Sequence, residues 1–173
     1  MHLATKAVLG LALMALAACN NPSKNGANGV VDPGGAYGDA GGVSQGSIND
    51  PNSPAYFSGK VGDTVHFVVD QSTLTDEARA TLSGQAQWLS SHGNYAAIIE
   101  GHADEQGTRE YNLALGARRA SSVQQYLISQ GVPANRLRTV SYGKERPIAT
   151  CAEESCFAQN RRAVTVISVG AGS

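Results

Sequence analysis

The sequence predicts an α/β fold, a two-layer sandwich of order β-α-β-α-β-β with its helices on one face of a single sheet. Three observations predict it. Apolar runs of strand length recur at residues 65–69 (VHFVV), 95–100 (YAAIIE), 137–142 (LRTVSY) and 162–169 (RAVTVISV). Two longer segments between the first three repeat their apolar residues with the period of a helix, each opening on a threonine suited to cap it. Most of the chain's 20 glycines lie ahead of these elements or between them, not inside them.

Folded structure is expected to begin near Val61. Gly62-Asp63 reads as a turn, and residues 65–69 as the first strand. Thr75 caps the first helix, with Asp76 and Glu77 in its electropositive first turn. Leu74, Ala78, Leu82, Ala86 and Leu89 mark one face of it as far as Ser91, and Gly93-Asn94 ends it. The second strand, residues 95–100, is apolar enough to be central. Thr108 caps the second helix, whose inward stripe reads as Leu113, Ala117, Ala120, Val123 and Leu127. Gly116 permits close packing there, and Gly131 and Pro133 close the helix. No internal repeat is evident.

The preceding chain has a different character. Lys6 and the apolar run 7–17 (AVLGLALMALA) have the form of a secretory leader, too short to remain as a membrane span and apolar on every side. Leu16-Ala17-Ala18-Cys19 resembles the bacterial lipobox, which implies cleavage before Cys19 and acylation of that cysteine. Several acyl chains anchor firmly where one binds marginally, at about 0.8 kcal/mol per buried methylene. Asn20, rather than Asp, after the cysteine points to the outer membrane. Residues 21–58 are rich in Gly, Asn, Ser, Asp and Pro and carry no apolar period, so they read as a flexible tether; the alternative is a tail that docks on the domain, which Tyr56 and Phe57 suit locally. The relaxed reach from Cys19 to Val65 is roughly 35–40 Å. The expected division is 1–18 leader, 19–58 lipidated cysteine and tether, and 59–173 folded domain.

A formal net charge of −1 over 173 residues gives no bulk attraction to nucleic acid. Cys151 and Cys156 are close in sequence in an exported chain, and a disulfide is the expected state, contributing about 2 kcal/mol through its short loop. A metal site using His102 with both cysteines has neither the H-x-E nor the C-x-x-C spacing of zinc deaminases. No metal or cofactor is expected. Catalysis is not expected either: a nucleophilic triad needs an activated Ser or Cys beside a histidine, and the sequence offers no convincing one. Glu100 and Asp104 are the one carboxylate pair that could be imagined cutting a glycan.

The chain is organised around residues 98–123 (IIEGHADEQGTREYNLALGARRASSV), where an apolar strand enters an acidic loop that opens onto a helix. The arrangement sets Asp104 against Arg119 at the end of the sheet, and their natural guest is zwitterionic: an ammonium for the acid, a carboxylate for the base. Asn112 lies seven residues before Arg119 and so projects from the same helix face, whereas Arg118 is turned about a hundred degrees away. Direct pairing of Asp104 with Arg119 is the structural alternative.

Residues 100–108 (EGHADEQGT), then Glu110-Tyr111-Asn112, Leu115-Gly116 and Arg118-Arg119-Ala120, together with 140–147 (VSYGKERP) and 160–164 (NRRAV), resemble the OmpA-like C-terminal domain family. With the lipobox and tether, the resemblance is to its lipid-anchored members, the peptidoglycan-associated lipoproteins. It covers about Val65 to Val169. It implies noncovalent binding of peptidoglycan through the diaminopimelate of the stem peptide. In that resemblance Asp104 contacts the ligand's ammonium and Arg119 its carboxylate. Asp70, in the loop after the first strand, lines the pocket, and Asn112 stands at its edge. Arg161 and Arg162 match a pair with a structural role. Val68-Val69 before Asp70 depart from the aromatic or acidic residue often found there, which bears on the pocket wall.

The resemblance further implies a link between outer membrane and cell wall within the Tol–Pal system, with TolB and TolA as partners. Envelope integrity and outer-membrane invagination during division are the implied roles. The rivals are a wall-binding lipoprotein outside that system and a wall hydrolase using Glu100 and Asp104.

Overall fold

The computed structural model describes residues 45–169; the leader, Cys19 and most of the tether lie outside the described residues. Four helices and four strands follow in order: α1 (Pro54–Tyr56), β1 (Thr64–His66), α2 (Asp76–Ser91), β2 (Tyr95–His102), α3 (Arg109–Ser129), β3 (Leu137–Gly143), α4 (Glu154–Asn160) and β4 (Arg162–Val169). The sheet order is β1-β4-β2-β3; β4 runs antiparallel to both its neighbours, and β2 pairs in parallel with β3. Ala97 and Ile99 of β2 turn inward beneath α2 and α3, joining Leu82, Leu89, Val123 and Leu127 in one core. No helix among the described residues is long and apolar enough to cross a membrane.

The α/β sandwich expected from the sequence is the fold found, with four differences. First, residues 45–58, assigned by composition to the tether, are packed onto the domain. Ser53 caps α1 by accepting from Tyr56 N–H at 3.0 Å. The chain then widens into a π-helical turn, Phe57–Gly62, and Phe57 is only 1% exposed against the Trp88 ring. Trp88 Nε1–H donates to Pro51 O at 2.8 Å, and Tyr95 O–H to Asn52 O at 3.2 Å. A single buried aromatic and a few directed bonds offset the ordering entropy, which average composition does not register.

Second, β1 stops at His66 instead of Val69. Val68 and Val69 leave the sheet half-exposed because the Val68 carbonyl is taken by Arg119 and by Gln71 N–H. Third, α3 departs from its expected stripe in its first half only: Ala120, Val123 and Leu127 are buried as expected, but Leu113 and Ala117 are exposed, and Asn112, Leu115, Gly116 and Arg119 take the inward positions. Two polar side chains hold inward positions because loop carbonyls await them there. Fourth, α4 interrupts the connection between β3 and β4.

The contact between Gly101 and Gly116 sets the height of α3 over the sheet. A Cβ at Gly101 would collide with Gly116 O, and one at Gly116 would collide with Ser141 Oγ and with Gly101 O. With both bare, α3 sits directly on β2, and Arg119, one turn beyond Gly116, reaches the end of that strand.

Candidate functional site

Arg119 is the largest fully buried side chain among the described residues. Its guanidinium donates to three carbonyls: Nε to Gln71 O at 2.9 Å, Nη1 to His102 O at 2.7 Å and Nη2 to Val68 O at 3.2 Å. Its carbon lies 5.2 Å from the Phe67 ring centroid. Burial pushes its pKa down to about 10; the charge of Asp104 works against that shift, Arg161 adds to it, and Asp70 and Tyr111 oppose it. At neutral pH it is a cation whose partners are all neutral.

Asp104 therefore does not pair with Arg119, as the structural alternative would have it. Its Oδ2 lies 3.2 Å from Arg161 Nη1, and its Oδ1 accepts the loop amide of Gln106 at 3.2 Å. Arg161 is 5% exposed, donates Nε–H to Phe67 O at 3.3 Å, and bonds Glu154 through Nη2. Burial opposes its charge, but the bonds to Glu154 and Asp104 more than offset this and raise its pKa. Arg161, expected to be structural, is thus in direct contact with the site. Nothing in its local sequence could have said so, since its partner Asp104 is 57 residues away.

Asn112 lies with Arg119 on the buried face of α3, as the helix period predicts, and is 1% exposed. It donates Nδ2–H to Gln106 O at 2.6 Å. Two residues that the sequence reading did not single out hold the same loop. Lys144 donates Nζ–H to Gly107 O at 2.7 Å, and Asn160 donates Nδ2–H to Glu105 Oε1 at 2.6 Å. The loop carrying Asp104 is therefore fastened from α3, from the end of β3 and from α4.

Asp70 is exposed, and its φ of 57° makes it the one non-glycine residue in the left-handed region among those described. It accepts the Tyr111 hydroxyl at 3.3 Å. From Asp70 through Arg119, Asp104 and Arg161 to Glu154, the charges alternate in sign. A cleft of about 490 Å³ beside β1 is lined by Phe67, Val68, Glu154 and Arg161 but not by Asp70, Asp104 or Arg119. It adjoins the charged row without containing its centre.

Cys151 and Cys156 are joined in a disulfide with Cα atoms 5.7 Å apart, so neither is free to join His102 on a metal. Among the described residues no three His, Cys, Asp or Glu side chains converge as ligands. His102 is buried with neither ring nitrogen hydrogen-bonded, and Glu100 Oε2 lies 3.7 Å from its Nε2. Glu100 therefore keeps company with His102 and with the charge of Arg162, while Asp104 belongs to Arg161.

The OmpA family model matches residues 66–161. A peptidoglycan-associated lipoprotein of Agrobacterium fabrum is 52% identical over 96% of this chain and 89% of its own length. One from Rhizobium meliloti is 58% identical over 71% of this chain and 69% of its own, and one from Pseudomonas aeruginosa 44% over 90% and 92%. The crystal structure of the peptidoglycan-associated lipoprotein from Burkholderia pseudomallei superposes with a TM-score of 0.62 at 42% identity, covering 70% of this chain and 98% of that one. The C-terminal domain of Helicobacter pylori MotB shares the fold at 23% identity and a TM-score of 0.59. The family match, the shared sheet and helices, and identity at this level over most of the chain's length agree: the chain belongs to the OmpA family, among the peptidoglycan-associated lipoproteins.

Proposed function

We propose that this protein is a cell-envelope lipoprotein whose folded domain binds peptidoglycan noncovalently, taking the diaminopimelate of the stem peptide as a zwitterion. The observation that carries the reading is Asp104. It is a nearly buried carboxylate with one arginine bond and one amide bond, and a carboxylate offers about four lone-pair sites. An ammonium can occupy what remains. Arg119 contributes positive potential beside it for the guest's carboxylate. Three of its five N–H donors hold peptide carbonyls and the side chain is fully buried, so a guest reaches the remaining two only if the covering loop of residues 68–71 parts from it. Asp70 supplies a second, exposed carboxylate at that loop.

The binding is passive. Glu100 and Asp104 have separate partners, which favours a clamp over a carboxylate pair acting on a glycan. Acylation at Cys19 in the outer membrane, docking of TolB and TolA, and support of envelope invagination during division complete the proposal. The anchor rests on the lipobox and the tether, and the partners and the role in division on the resemblance to the family's lipid-anchored members.

Co-sedimentation with purified sacculi tests the site. Asp104→Asn preserves the loop bond while removing the charge, and it is expected to abolish sedimentation. Unchanged sedimentation would overturn the assignment. Release of soluble muropeptides by the wild type would establish the hydrolase instead. Titration of TolB against the protein separates a Tol–Pal component from a wall-binding lipoprotein outside that system.

A further inference from the structure

Asp104 lies close to a second guanidinium, and an arginine free to do so closes on a carboxylate with two parallel N–H bonds. Such a fork would take one more of Asp104's about four lone pairs and leave an ammonium one place instead of two. It does not form here. Arg161 spends Nη2 on Glu154 and Nε on Phe67 O, and only Nη1 reaches Asp104. Phe67 O and Glu154 thus hold the two nitrogens that a fork would recruit, and Glu154 is the one of them that is a charged side chain.

An exposed carboxylate is a poor choice for this task unless its backbone is fixed. The Glu154 side chain is 72% exposed, and free surface pairs lose most of their energy to side-chain entropy and screening. Here the backbone is held from both sides. The Cys151–Cys156 disulfide encloses Glu154 at the first turn of α4. At the other end of α4, buried Asn160 accepts the amides of Ile148 and Ala149 at 2.9 and 3.2 Å.

We propose that Glu154, fixed by the Cys151–Cys156 bridge, is a positioning residue that limits Arg161 to one bond with Asp104 and so keeps Asp104 open to an ammonium. The proposal rests on the reading of Asp104 as the ammonium acceptor. It assigns the disulfide a part in affinity as well as in stability.

The test uses the full chain in detergent, purified sacculi as the probe, and the variants Glu154→Ala, Cys151→Ser/Cys156→Ser and Asp104→Asn. Glu154→Ala, which removes the acceptor that a glutamine would keep, and the double serine variant are expected to weaken binding about tenfold, a loss near 1.4 kcal/mol. In both, the nitrogen resonance of Arg161 Nη2 should move while that of Arg119 stays, a signature that general loosening of the fold would not produce. Wild-type binding that is lost in Asp104→Asn but unchanged in Glu154→Ala would overturn the positioning role and leave the acceptor reading intact. Binding unaffected by Asp104→Asn would overturn both. If the double serine variant does not fold, Glu154→Ala alone decides.

Discussion

Arg119→Lys separates the two tasks of this side chain, carrying charge and holding the loop. Lysine keeps the cation but concentrates its donors on one nitrogen, which cannot reproduce the spread of Nε, Nη1 and Nη2 over Gln71 O, His102 O and Val68 O. We expect one bond to survive. Each bond lost from a charged donor is worth about 1.5–3 kcal/mol. Val68 O keeps Gln71 N–H at 3.1 Å and is not orphaned, which reduces the loss. The net effect should be about 2–4 kcal/mol, a large part of the 5–15 kcal/mol typical of a domain. In urea the midpoint should fall with the slope unchanged, and the thermal midpoint should drop by about 10 °C. Arg119→Met controls for charge: burial alone already disfavours this cation, as its lowered pKa records. If the bonds outweigh that cost, the methionine variant is less stable than wild type. A lysine variant within about 2 °C of wild type, or a methionine variant that is more stable, would refute the anchoring argument.

Other perturbations test the frame around the site. Gly116→Ala should cost about 1–3 kcal/mol or more, because Gly101 O cannot yield as a side chain would; equal thermal midpoints would disprove the close approach. A chain beginning at residue 59 should be less stable than one beginning at residue 45 by about 3 kcal/mol, the lower range for deleting a buried phenylalanine, since Phe57 is 1% exposed; coincident urea curves would return residues 45–58 to the tether. Burial, and then the charge of Arg162, lower the pKa of His66. Its stabilising share is therefore complete above pH 6.5 and declines as pH falls through that value towards the folded pKa. The thermal midpoint of His66→Gln should fall less than that of wild type between pH 7.5 and 5, and parallel slopes would contradict this.

The parts of the fold written locally were legible in the sequence. Thr75 and Thr108 cap α2 and α3 as the pattern of residues around them predicts, each accepting the amide three residues on. Tyr95, Leu137 and Arg162 open their strands where the alternation begins. Reading failed where a side chain breaks its local rule to meet something distant. The stripe of α3 was assigned to leucine and alanine because a buried arginine does not look like a core residue; the carbonyls that make Arg119 one lie 17 to 51 residues away. The helix period still selected Arg119 over Arg118, and it put Asn112 on the same face. Periodicity specifies which residues share a face; burial specifies which face is inside, and at a polar site the two separate.

A clamp for a zwitterion has a general difficulty: its own acid and base attract one another and can cancel before a guest arrives. The placement of Arg119 avoids this. Its bonds go to peptide carbonyls, which satisfy its donors without pairing its charge with a carboxylate. Asp104 does have an ionic partner, but that partner is shared with Glu154, so the carboxylate is oriented without being saturated. On the proposed reading the two arginines do different work: one is a fixed source of potential, and the other sets how much of the acceptor stays free. Stability and affinity are accordingly coupled at Arg119 and separable at Glu154. A search for weaker or stronger wall binders at constant stability should succeed at Glu154 and fail on the inner face of α3.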